Sequence, residues 1–208
     1  MNDSLFPVGS RPRAARPLCG MRIALLEGRT VDAVRLERLR AGFEREGAEV
    51  CVVAPELELE LELQLEDAAS LRADERLASA APERFHALCV PGSAVAVREL
   101  CDSAPALELV AAFAASGKWI TAFDHAPLLL MQAVGVAGRT LTSDPTLEDA
   151  LTNAGALWLP EPTVVDGAWL TADGARLAAA LQVAAAQLRI KSIEPPPFFG
   201  EPRSASPG

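Results

Sequence analysis

Residues 118–132, KWITAFDHAPLLLMQ, set an apolar run from Trp119 to Phe123 against a helix-like apolar segment, with Asp124 and His125 at the join. A buried strand that feeds a helix through so tight a turn aims the first turn residue out of the carboxyl edge of a parallel sheet, where open α/β proteins place their ligands. The stretch therefore predicts an α/β fold and puts the candidate site at Asp124 and His125.

On its amino side, residues 99–116 carry helical spacing interrupted near Pro105 and stopped by Gly117, and residues 85–90, FHALCV, predict a core strand ending in the turn Pro91, Gly92, Ser93. Earlier still, 22–26 reads as a strand, 31–46 as a helix through Val34, Leu36, Leu39 and Phe43 with Gly47 as its stop, and 49–53 as a second strand. Such a βαβ opening implies a parallel sheet covered by helices, because a right-handed crossover must pack on a face of the sheet. On the carboxyl side, 127–134 and 146–153 predict helices, and 140–142 and 157–159 short strands. Asp166 and Gly167, between 163–165 and 168–171, are a two-residue hairpin signal, and Asp173 is placed to cap a long alanine-rich helix reaching about residue 188. The order of elements predicts a three-layer α/β/α sandwich around a mostly parallel, flavodoxin-like sheet with a strand-to-helix elbow.

One segment breaks this rhythm. Residues 56–66, ELELELELQLE, alternate leucine with acid or amide at period two, which fits a strand and not a helix, on which the leucines would spread around the whole circumference. It predicts an edge strand or flap with leucines on one face and a solvated carboxylate ladder on the other, the charges deterring edge-to-edge pairing. The termini differ again: 1–20 is rich in Pro, Gly, Ser and Arg and predicts a flexible extension, with Met21 as an alternative start of translation, and 191–208 is a Pro-rich tail whose Phe198 and Phe199 are candidates to dock on the body or on a partner. Between them, 21–190 predicts a single domain.

Composition limits the function. At 208 residues the chain suits one domain with a full core. Its formal charge of −9, from 19 Lys and Arg against 28 Asp and Glu, would repel phosphate backbones and argues against a nucleic-acid partner. No apolar run approaches the roughly 18–20 residues that cross a bilayer, and no secretory signal is evident, so neither membrane nor export is expected. Cys19, Cys51, Cys89 and Cys101 are widely spaced without paired Cys-x-x-Cys clusters, which predicts reduced thiols in a cytoplasm and no zinc site.

Taken in order, RIALLEG with Asp32 soon after, REGAEVCVVAPE, FHALCVPGS, GKWITAFDHAPLLL, and GRTLTSDPTLEDALTNAGALW followed by PTVVDGAWLT resemble the ThiJ/PfpI superfamily, with its class I glutamine-amidotransferase-like fold, over roughly residues 21–188. Members of that superfamily carry an Ala-Ile-Cys-His-Gly-Pro turn whose cysteine is a nucleophile. The corresponding residues here are Ala122, Phe123, Asp124, His125, Ala126 and Pro127, so an aspartate stands where the nucleophile is expected. The resemblance also implies that the family's glutamate beside the sulfur falls on Asp32, that the oxyanion-binding Pro-Gly-Gly turn becomes Pro91, Gly92, Ser93, and that the protein is a homodimer.

The substitution redirects the chemistry. A thiolate is a strong nucleophile that forms near neutral pH, and a carboxylate oxygen is a far poorer one, so the thiol activities the resemblance implies should not transfer. Asp124 near Asp32 predicts a carboxyl pair sharing a proton, with His125 at its rim, because two adjacent carboxylates do not both ionise cheaply. Three outcomes follow: a structural pair in a pseudoenzyme that keeps the pocket for small-molecule binding or interaction; a hydrolase or lyase using Asp32, Asp124 and His125; or a divalent cation held by those three residues. Gly92, Ser93 and Glu27 are the candidate ligand-binding residues, with a solvated strand end as the bland reading of Glu27, a turn as that of Asp144, and packing or dimer contact as that of Trp158 and Trp169. No cofactor is expected.

Overall fold

The computed structural model describes residues 16–61 and 71–193, the side chains of residues 176 and 190–193 excepted. In chain order its elements are β1 (Arg22–Leu26), β2 (Thr30–Val31), α1 (Ala33–Arg45), β3 (Glu49–Ala54), β4 (Glu60–Leu61), β5 (Glu75–Arg76), β6 (Ala87–Val90), α2 (Ala94–Cys101) and α3 (Ala104–Ala115). They continue with β7 (Trp119–Phe123), α4 (Ala126–Val134), β8 (Thr140–Leu141), α5 (Glu148–Asn153), β9 (Leu157–Trp158), β10 (Thr163–Asp166), β11 (Trp169–Ala172) and α6 (Leu177–Ile193).

Seven strands form one sheet in the order β10-β11-β7-β6-β1-β3-β5, and only the β10–β11 hairpin, turning at Gly167, is antiparallel. The central strands read as continuous apolar runs because both faces of the sheet are covered. Alternation sorts their side chains: Ala24, Leu26, Val53, Leu88, Ile120 and Ala122 pack with α2, α3 and α4, whereas Ile23, Leu25, Val52, Cys89, Leu170 and Ala172 pack with α1 and α6. The result is the three-layer, mostly parallel sandwich that the sequence predicts, with helices on both faces.

Several boundaries move for local reasons. The first helix begins at Ala33, not residue 31, because Asp32 caps it by accepting the Arg35 N–H at 3.0 Å while Val31 pairs with Leu61 in β2–β4. α2 starts at Ala94, capped by the Ser93 hydroxyl, and Pro105 sits in the first turn of α3, where its missing N–H is harmless. Within the Glu-Leu segment Glu56, Glu58 and Glu60 are exposed and Leu59 is buried, as the alternation requires, although regular strand is confined to Glu60–Leu61. Its remainder, 62–70, lies outside the described residues.

The ordered body begins ahead of Met21. Leu18 is fully buried and its N–H donates to the Glu46 carbonyl, so 16–20 does not belong to the flexible extension expected for 1–20. At the other end α6 runs on to Ile193, past the helix end expected near residue 188. Residues 1–15 and 194–208, with Phe198 and Phe199, lie outside the described residues. No helix among the described residues is long and apolar enough to cross a membrane.

Candidate functional site at the strand-to-helix elbow

Six strands of the main sheet run parallel, and at their carboxyl rim β7 turns into α4 through only two residues, Asp124 and His125. Asp124 has φ 47°, the only positive φ at a non-glycine among the described residues. A side-chain-bearing residue held in this sparsely populated region is stabilised by its surroundings, and such outliers cluster at functional sites. Gly92 makes the bend possible from the neighbouring strand end. It has φ 87°, its carbonyl accepts the His125 N–H at 3.2 Å, and a Cβ there would overlap the Phe123 carbonyl.

Every polar group of Asp124 is engaged. Its N–H donates to the Ala172 carbonyl at 2.9 Å and its carbonyl accepts the Asp144 N–H at 3.0 Å. One carboxylate oxygen accepts the Gly174 N–H at 2.5 Å, and the other accepts from Nη1 of Arg35 in an ion pair. The same Nη1 donates to the Pro91 carbonyl at 3.0 Å, and Arg35 Nε lies 3.8 Å from an oxygen of Asp32. Both ends of the ion pair are largely screened from solvent, with side-chain exposures of 22% for Arg35 and 13% for Asp124.

This geometry revises the expected carboxyl pair. A guanidinium engages both carboxylates: Arg35 pairs with Asp124 and lies beside Asp32. Asp32 is otherwise the cap of α1. His125 is the cap residue that precedes α4, close enough to Asp144 to act on its carboxyl. There Asp144 accepts from both the hydroxyl and the backbone N–H of Thr146, which hold its carboxyl below the ordinary carboxylate value of 3.8, with a smaller contribution from His125. Asp144 thus forms the turn expected of it and also clamps the elbow backbone.

Of the candidate ligand-binding residues, Gly92 lies against the elbow and Ser93 uses its hydroxyl to cap α2. Glu27 is not a solvated strand end: it is 1% exposed, and its charge adds to burial in pushing the Cys89 thiol well up. Burial also raises the thiols of Cys51 and Cys101, and Cys19 is exposed; all four cysteines are free. No group of His, Cys, Asp and Glu among the described residues could hold a metal ion. Trp158 donates its indole N–H to the Ser143 hydroxyl at 2.9 Å, and Arg139 stacks on Trp169, so both rings serve packing. Beside the elbow, α1 and α6 enclose a cleft of about 950 Å³ whose lining includes Asp32, Arg35, Gly174, Leu177 and Leu181.

Arg35 and Gly174 are the site residues that sequence reasoning missed. Arg35 is one arginine among many on α1, and nothing within its own helix marks it as a partner for a residue 89 positions away. Gly174 opens the short 3₁₀ turn Gly174–Arg176 that leads into α6, and only the fold brings it to β7.

A doubly covered parallel sheet with a positive-φ elbow, a glycine turn beside it and an acidic cap on the first helix defines the class to which this protein belongs. The profile of the DJ-1/PfpI family matches residues 21–187, and the chain is a member of that family. It is 31% identical to a deglycase of Pyrococcus horikoshii over 102 residues, which are 49% of this chain and 61% of that one, so the match spans less than two thirds of that relative. It is likewise 31% identical to an uncharacterized protein of Archaeoglobus fulgidus over 73% of this chain and 88% of the other. Among solved structures, Drosophila melanogaster DJ-1beta superposes with a TM-score of 0.67 at 20% identity, covering 82% of this chain and 89% of that one, a likeness of fold alone.

Proposed function

We propose that this DJ-1/PfpI protein is a pseudoenzyme: it keeps the family's elbow and the adjoining pocket for small-molecule binding or protein interaction, without covalent catalysis. One observation carries the reading. Both oxygens of the elbow carboxylate are already engaged, one by the Arg35 guanidinium and the other by the Gly174 N–H. A nucleophile or general base needs an oxygen free to approach substrate, and an ion-paired carboxylate holding its hydrogen bonds is a poor one. Cys89 and Cys51 are buried and carry raised pKa values, so neither supplies a thiolate instead. We further propose a homodimer in the cytoplasm, consistent with the four unpaired thiols.

A second reading follows from the deglycase name of the archaeal relative: a hydrolase or lyase in which Asp124 acts with Asp32 and His125. Asp124→Asn separates the two. No turnover of glycated or peptide substrates by either wild type or variant, together with an altered melting temperature, supports the pseudoenzyme; substrate-dependent activity abolished by the substitution transfers the assignment to the carboxylate enzyme, and activity that survives it refutes both.

A further inference from the structure

The donors around Asp124 form an arrangement of their own. Arg35 reaches it from the first turn of α1 and is fixed from behind by the Pro91 carbonyl and by Asp32. Gly174 reaches it from the opposite side, at the start of the turn that feeds α6, where an unshared backbone N–H and the helix dipole favour an anion. The absence of a side chain at Gly174 is part of the design: a Cβ there would collide with both oxygens and the Cγ of Asp124. A charged fork, a helix-start N–H and a cradle that only glycine leaves open converge on one carboxylate, and the two donors, Arg35 and Gly174, also line the cleft between α1 and α6.

We infer that Arg35 and the Gly174 N–H constitute a carboxylate receptor whose resident occupant is the chain's own Asp124. The ligand class is a monocarboxylate entering from the cleft, and in the native chain Asp124 blocks it. The inference rests on the reading of Asp124 as a bound group rather than a nucleophile.

The test removes the tethered ligand and returns it free. Asp124→Gly deletes the side chain at a φ that glycine tolerates, and acetate then replaces the lost atoms. Melting temperatures are read against acetate concentration with sodium chloride at equal ionic strength as the reference. Above saturation, Asp124→Gly should gain about 3–5 °C per tenfold rise in acetate. Wild type and the double variant Arg35→Met with Asp124→Gly should move no more in acetate than in chloride. Asp124→Ala titrated with formate repeats the experiment in a backbone that keeps its Cβ, and either single variant responding as stated, with the Arg35 dependence, sustains the receptor. Equal shifts in acetate and chloride, or a wild-type response matching the variant's, overturns it. If acetate stabilises Asp124→Gly and also restores a turnover that the substitution had removed, the receptor stands and the pseudoenzyme reading falls; if neither variant responds and no Asp124-dependent turnover exists, the reverse holds.

Discussion

Arg35→Met tests the elbow at its most loaded contact. The substitution keeps the length of an apolar stem but withdraws the charge from Asp124, whose side chain is 13% exposed and cannot recover full hydration in place. Breaking a fully buried pair costs about 3–5 kcal/mol, and hydrogen bonds to charged groups contribute about 1.5–3 kcal/mol. Because the pair retains some solvent contact and the Gly174 N–H remains on the carboxylate, a loss of about 2–3 kcal/mol is expected. For a chain of this size that lowers the melting temperature by about 4–12 °C. Arg35 also binds the Pro91 carbonyl, so the single variant overstates the ion pair, and a cycle with Asp124→Asn isolates it. Urea unfolding of wild type, both single variants and the double should give a coupling of about 1–2 kcal/mol, the double being more stable than the sum of the singles predicts. Strict additivity would refute the claim that Arg35 holds Asp124.

Gly92→Ala should be among the most damaging small substitutions, because the new methyl meets the Phe123 carbonyl at a residue with φ 87°; a loss of about 3 kcal/mol or failure to express soluble protein is expected, and wild-type unfolding would contradict the close approach. Thiol titration of the native protein with a disulfide reagent near pH 8 should show exposed Cys19 reacting first, with Cys51 and Cys89 reacting only on denaturation, as their burial and raised pKa values require. Thr146→Ala removes the hydroxyl that holds the Asp144 carboxyl below 3.8. Because that pKa is depressed in the folded state, the stabilisation is present above the unfolded value and fades as pH falls through the folded one. The difference between wild type and Thr146→Ala should therefore shrink on acidification below about pH 4, and a difference that grows there would contradict the assignment.

The sandwich was legible in the sequence because its strands are buried on both faces: runs such as ITAF and VCVV cannot be surface segments, and the spacing of Leu36, Leu39 and Phe43 admits only a helix packed on them. The elbow was legible for the same reason, since an aspartate and a histidine interrupt apolar sequence with no room for a loop. The partner of Asp124 was not. The resemblance to the ThiJ/PfpI superfamily implied a carboxyl pair with Asp32, but the interaction was decided by which side chain on the first turn of α1 points at the rim, and that is Arg35. Glu27 misled in the opposite way. A charged residue at a strand end is ordinarily wet, whereas here Gly28 lets the chain press against α2, a Cβ at Gly28 meeting Ala96 and Glu99, and the neighbouring Glu27 is buried with it. Glu99 in turn accepts the N–H groups of Arg29 and Thr30, pinning that loop.

Whether Asp124 ever attacks a substrate is read most directly by isotope. A carboxylate nucleophile forms an ester or anhydride that water must open, and when water attacks the aspartyl carbonyl, turnover in heavy-oxygen water leaves the label in the aspartate, whereas attack on the substrate carbon sends it to the product. After prolonged incubation with glycated and peptide substrates, mass analysis of the peptide carrying Asp124 should show no incorporated label in the native protein. Substrate-dependent label at Asp124 would contradict the account.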